Sequence, residues 1–136
     1  MTPPRRAIHY LASPYTHADP RVMRERYEHV CQAAALLHRR GMLVYSPIAH
    51  SVAVNEYIGS DGAFAAWRDY DLGMIDRLDG VLVLMLPGWE DSYGVAQELL
   101  HTRERAVPVQ WVIPELRDGR VAELRLRQEY AEAATA

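Results

Sequence analysis

The chain has 136 residues, 18 acidic side chains against 15 basic ones, and a net charge of −3. That length supports one domain with a real core, and the faintly acidic balance leaves no electrostatic footprint for a nucleic-acid polymer or an anionic membrane surface. No apolar run approaches the roughly 20 residues that span a bilayer. The lone Cys31 excludes an internal disulfide, and the absence of Lys excludes Schiff-base chemistry and a Walker-type phosphate loop.

Met1 to Arg6 is too short and polar for a secretory signal, and with the single cysteine this points to the cytoplasm. Ala7 to Ala12 reads as a first strand, left through the loop Ser13-Pro14-Tyr15-Thr16-His17. Asp19 then caps a helix that opens on Pro20. Val22, Tyr27, Val30, Ala34 and Leu37 carry its apolar period to about Arg39, and Gly41 stops it. Met42 to Tyr45 is a short second strand. Ser46 to Asp61 reads as a long loop with space for one turn of helix, and Phe64 to Leu78 as a second long helix.

Asp79-Gly80 turns into a third strand, Val81 to Leu86. The loop Pro87-Gly88-Trp89-Glu90 leads to a helix from Gly94 to about Arg105, with Ser92 as its simplest N-cap. Val107 to Ile113 is a fourth strand whose beginning Pro108 weakens. Asp118-Gly119 is a turn, and Val121 to Ala134 reads as a terminal helix with a solvated charged face. There is no linker, repeat or low-complexity segment, so residues 1–136 read as a single domain. Strands alternating with helices predict an α/β fold, a four- to five-stranded parallel sheet covered on both faces. Ligands of such sheets bind beyond the carboxyl ends of the strands. The post-strand loops there hold much of the chain's Ser, His and Tyr.

Two carboxylates stand out. Asp71 interrupts the helical stripe Phe64, Trp67, Met74, Ile75 and Leu78. Facing inward it is desolvated, which raises its pKa and suits a general acid; a buried Asp that only accepts hydrogen bonds is the bland alternative. Glu98 lies four residues after Gly94, on the same helical face and beside Leu99 and Leu100. The missing Gly94 side chain is expected to leave open space above the carboxylate, and the helix N-terminus to keep it ionised. The alternative is a surface Glu paired with Arg. Trp89, in the loop before Ser92, is the best candidate for stacking a base; Trp67 and Trp111 read as core or dimer packing. His17 and His50 sit in loops without carboxylates at ligand spacing, so no metal is expected. The glycines form no dinucleotide fingerprint and the serines no nucleophile elbow, and no cofactor is expected.

Tyr10-Leu11-Ala12-Ser13-Pro14-Tyr15, then Ser46-Pro47-Ile48-Ala49-His50, Asp71-Leu72, Asp79 before a strand, and Pro87-Gly88-Trp89 followed by Ser92, Gly94 and Glu98 together resemble the nucleoside 2-deoxyribosyltransferase-like superfamily over about residues 7 to 113. The chain looks most like a small bacterial and phage branch of it. The resemblance implies a flavodoxin/Rossmann-like three-layer sandwich and a homodimer whose partner chain completes the site. It implies Glu98 as nucleophile, Asp71 as the acid that protonates the leaving base, and Tyr10 as the residue orienting the nucleophile. Ser13, Tyr15, His50, Trp89, Ser92, Tyr93 and Gly94 are the expected substrate contacts. Where the transferase branch has an Asp six residues before the nucleophile, this chain has Ser92, as in the nucleotide-hydrolase branch. That branch also uses Ser and Arg after the first strand; here Pro14, Tyr15 and Thr16 stand there, and the next Arg is Arg21. The expected activity is hydrolysis of the base–sugar bond of a deoxynucleoside 5′-monophosphate. Base exchange between nucleosides and non-catalytic nucleotide binding are the alternatives.

Overall fold

The computed structural model describes residues 3–59 and 64–127. Strand β1 (Ile8–Ala12) leads through helix α1 (Pro20–Arg39) to β2 (Leu43–Tyr45). Helices α2 (Pro47–Ile58) and α3 (Phe64–Arg77) precede β3 (Gly80–Leu84). A short 3-10 turn (Trp89–Asp91) leads to α4 (Tyr93–Arg105), and the chain returns as β4 (Val109–Arg117) and β5 (Arg120–Arg127). The sheet order is β2-β1-β3-β4-β5. The first three pairings are parallel and β4–β5 is antiparallel, so the sheet is mixed and the expectation of an all-parallel one is corrected. Among the described residues, no helix is long and apolar enough to cross a membrane.

The helix starts follow the local chemistry. The Asp19 carboxylate accepts the Arg21 N–H with Pro20 behind it, and Ser92 Oγ accepts from Val95 N. Residues 47–58 depart from the expected loop. Ser46 Oγ accepts from Ala49 N, Pro47 opens α2, and Gly59 at φ +84° closes it. Both caps are visible in the sequence, but Ile48, Val52 and Val54 spread apolar surface around the axis, so no stripe announces a helix. Ser60 and Asp61 lie outside the described residues.

The expected terminal helix is also corrected: residues 120–127 form the edge strand β5, and residues 128–134 lie outside the described set. Asp118 and Gly119, both at positive φ, make a two-residue hairpin turn of the kind that matches strand twist. Leu116 pairs with Val121 and Glu115 with Glu123, which leaves Ala122 as an extra residue. That irregularity sets the buried Val121 and Leu124 three apart, a spacing that imitates a helix.

Alternation along β1 and β3 divides the core. Leu11, Leu82 and Leu84 face Val30, Ala33 and Leu37 of α1, with Val121 and Leu124 closing that side. Tyr10, Ala12, Val81 and Val83 face Leu72 and Ile75 of α3 and Val95 of α4. After β2 the chain crosses to the other side of β1 to form β3. The carboxyl ends of β1 and β3 therefore splay their loops apart, which opens a crevice between them.

Candidate active site

A cavity of about 570 Å³ occupies that crevice, within the rough 300–1,000 Å³ range of small-molecule sites. Ser13, Tyr15, Thr16 and His17 reach it from the loop after β1, and Gly88, Asp91 and Ser92 from the loop after β3. Helix α3 contributes Phe64, Trp67 and Asp71, and α4 contributes Tyr93, Gly94 and Glu98. The two carboxylates are buried, Asp71 to 6% exposure and Glu98 to 4%.

Tyr10, fully buried on β1, donates its hydroxyl to Glu98 Oε2. This bond ties the central strand to α4 and fixes which carboxylate oxygen stays free. Burial pushes the Glu98 pKa up to about 8; the Tyr10 hydrogen bond opposes that rise and the nearby Asp71 charge adds to it. The expectation that the helix terminus keeps Glu98 ionised is therefore corrected. Glu98 is the sixth residue of α4, beyond the first turn where the helix dipole acts, and desolvation wins. Asp71 moves as its inward position predicts, up to about 7 through burial alone. Burial, Glu98 and Asp71 together hold the Tyr10 phenol well above its usual range, so it stays a donor. Both carboxyls therefore titrate at or above neutrality, Asp71 at about 7 and Glu98 at about 8.

Two residues of the cavity wall carry a buried polar atom with no hydrogen-bond partner among the described residues: Ser13 Oγ and Asp71 Oδ1. Buried polar groups are nearly always paired, so orphaned ones at a cavity wall point to a ligand or solvent.

Three expected contacts differ. Trp89 is absent from the lining; it is half-buried against Trp111, ring centroids 5.3 Å apart, because the 3-10 turn folds it onto the sheet. Trp67 takes the aromatic place at the cavity, its indole N–H donating to Asn55 Oδ1 at 3.2 Å. His50 is exposed on α2 and stacked on Tyr70, planes 5° apart, since the segment forms a helix and not a loop that could bring it inward. Gly94 lines the cavity, but a Cβ there would already meet the Phe64 ring at 3.5 Å, so the space above Glu98 is roofed by Phe64. Ser13, Tyr15, Ser92 and Tyr93 are all at the wall.

Arg26 was not among the expected contacts. It extends from α1 to the cavity and interrupts the row Val22, Val30, Ala33 and Leu37, as Asp71 interrupts its own stripe. That break in pattern was the available signal. Among the described residues no group of three or more His, Cys, Asp or Glu is gathered for a metal.

The model of the family described as "Domain of unknown function (DUF1937)" matches residues 7–113, and the chain belongs to that family. The matched span contains every residue of the site above. Among curated proteins, none matches the chain.

Proposed function

We propose that this member of the family is an N-glycosidase that hydrolyses the base–sugar bond of a deoxynucleoside 5′-monophosphate within a flavodoxin-like fold. The observation that carries the reading is the buried Glu98, held by the Tyr10 hydroxyl at the wall of a cavity that Asp71 also faces. The resemblance to deoxyribosyltransferase-like proteins assigns these same three residues.

In this reading Glu98 Oε attacks C1′ as the C1′–N bond breaks, and Asp71 delivers its proton to the departing base nitrogen. Water then attacks C1′ of the sugar ester and gives its proton to Asp71, which frees Glu98 and releases the sugar 5-phosphate. This is the two-carboxylate logic of retaining glycosidases applied to a C–N bond. Burial makes the Glu98 anion costly at rest. It therefore gains most when positive charge develops on the sugar, which is stabilisation specific to the transition state. The active form has Glu98 ionised and Asp71 protonated. With pKa values of about 8 and about 7, that arrangement is the minority tautomer of the singly protonated pair.

The same reading places the protein in the cytoplasm as a homodimer. Tyr57 and Ile58 of α2 are exposed in the single chain, which supports a partner surface there. Base exchange would differ only in the acceptor, with a second base replacing water.

The test is chromatographic detection of free base from the deoxynucleosides and their 5′-monophosphates, each with and without an acceptor base, using Glu98→Ala as control. Release that requires Glu98 is expected, fastest from a monophosphate. Equal release by Glu98→Ala removes Glu98 as nucleophile, and tight binding without product turns the reading to a binding module.

A further inference from the structure

We infer that Arg26 is the charge-reading residue of this cavity and binds the phosphomonoester end of its ligand; the choice of phosphate over other anions rests on the nucleotide reading above. Arg26 is the only Arg or Lys in the cavity wall among the described residues. It is half-buried, and burial lowers its pKa against the opposing pull of the neighbouring Glu25 charge, so its charge is partly stripped of water. No carboxylate among the described residues lies within ion-pair distance of it, whereas Arg5, Arg21, Arg24 and Arg117 are all paired.

Three backbone carbonyls hold the guanidinium in place. Nη1 donates to Thr16 O at 3.0 Å and Tyr15 O at 3.5 Å, and Nη2 to Pro87 O at 3.4 Å. These neutral acceptors position the group between the loops after β1 and β3 without cancelling its charge. Two of the three bonds are long, so much of the fork's capacity of five N–H donors remains for an anion. The seat is specific to its neighbour, because a Cβ at Gly88 would fall 2.4 Å from Nη2.

The second observation is independent of the arginine. Ser13, a residue only 6% exposed, lines the same cavity, and its buried Oγ has no hydrogen-bond partner among the described residues. A half-desolvated guanidinium that feels the Glu25 charge but forms no ion pair, and an orphaned hydroxyl at one wall, call for a ligand with several acceptor oxygens and negative charge. A brace between two loops would need neither a guanidinium without an ion pair nor the orphaned hydroxyl.

Calorimetry with 2-deoxyribose 5-phosphate, inorganic phosphate and the four deoxynucleosides tests this without relying on turnover. Arg26→Gln is expected to weaken 2-deoxyribose 5-phosphate at least about tenfold and to leave nucleoside affinity within about twofold. Arg26→Lys, which keeps the charge but not the fork, is expected in between. Thermal melts of both variants check that they fold. An equal loss for phosphorylated and neutral ligands would mean that Arg26 only braces the loops, and the inference would fall. It would fall equally if Arg26→Gln bound the sugar phosphate like wild type, or if wild type bound nucleosides but no phosphate compound. Arg26-dependent phosphate binding without base release from any substrate would uphold the inference and refute the glycosidase reading.

Discussion

The two faces of the central sheet are built from the same strands, yet they bury different chemistry. Toward α1, the residues packed on β1 and β3 are Leu, Val and Ala, and His29, the one buried titratable side chain on that face among the described residues, has its partner in the Gly119 carbonyl at 3.0 Å. Toward α3 and α4, the same strands present Tyr10 and bury Asp71 and Glu98 with it. One face stabilises the fold. The other gives up stability to hold two carboxyls where water does not easily reach them. Such a division is expected where a site is installed on a scaffold, since perturbed carboxyls gather at functional sites.

The largest effect expected from breaking the contrast is on turnover. Glu98→Ala should lower base release by about 10³-fold or more, while the melting transition stays cooperative. On the opposite face, Leu82→Ala should cost about 2–5 kcal/mol in chemical denaturation, because a fully buried side chain on the central strand leaves a cavity. Its effect on ligand affinity at a temperature where the protein is folded should be small. A large affinity loss there would blur the distinction between the faces.

The carboxyl face should also show an inverted pH dependence of stability. Both carboxyls titrate higher in the folded chain, at about 8 for Glu98 and about 7 for Asp71, than the roughly 4 of an unfolded chain. The folded state therefore binds more protons between these values. The stability linked to them is complete below about pH 4 and is lost as pH rises through 7 and 8. Glu98→Gln should accordingly melt higher than wild type at pH 9, by about 1–3 kcal/mol, with a smaller difference at pH 5. A lower melting point at pH 9 would mean that the carboxylate is better solvated than its burial indicates.

Tyr10→Phe sharpens the comparison by changing one atom. The lost hydrogen bond normally opposes the rise in the Glu98 pKa, so the alkaline limb of the pH–rate profile, which follows the higher of the two pKa values, should move to higher pH while the maximal rate falls. An unchanged limb would deny Tyr10 its role in holding the nucleophile. The smallest effect expected is from Ser92→Ala, about 1 kcal/mol of stability for the lost cap on Val95 N.

The legibility of this chain follows physical lines. Asp71 was readable because it interrupts an apolar stripe, and Glu98 and Tyr10 through a resemblance of ordered short motifs. Helix α2 was hidden by its uniform apolar character and betrayed only by its caps, Ser46 and Gly59. The β5 strand was hidden by helix-favouring residues and by an irregularity that spaced Val121 and Leu124 like a helix. Trp89 looked available in a loop and folded onto Trp111.

By itself the sequence determined the alternation of the four strands up to β4 with helices α1, α3 and α4, the N-caps of α1 and α4, the Asp118-Gly119 turn and the inward acid at Asp71. Each of these depends on neighbours within a few residues, where hydrogen-bond geometry and side-chain period act directly. Only the tertiary structure decided that β5 is a strand, that Glu98 is desolvated instead of ionised by its helix, and that Arg26 reaches the cavity. Those outcomes depend on strand pairing, burial and loop approach between residues far apart in the chain; the broken apolar row marks Arg26 as inward, but no local pattern says which loops it meets.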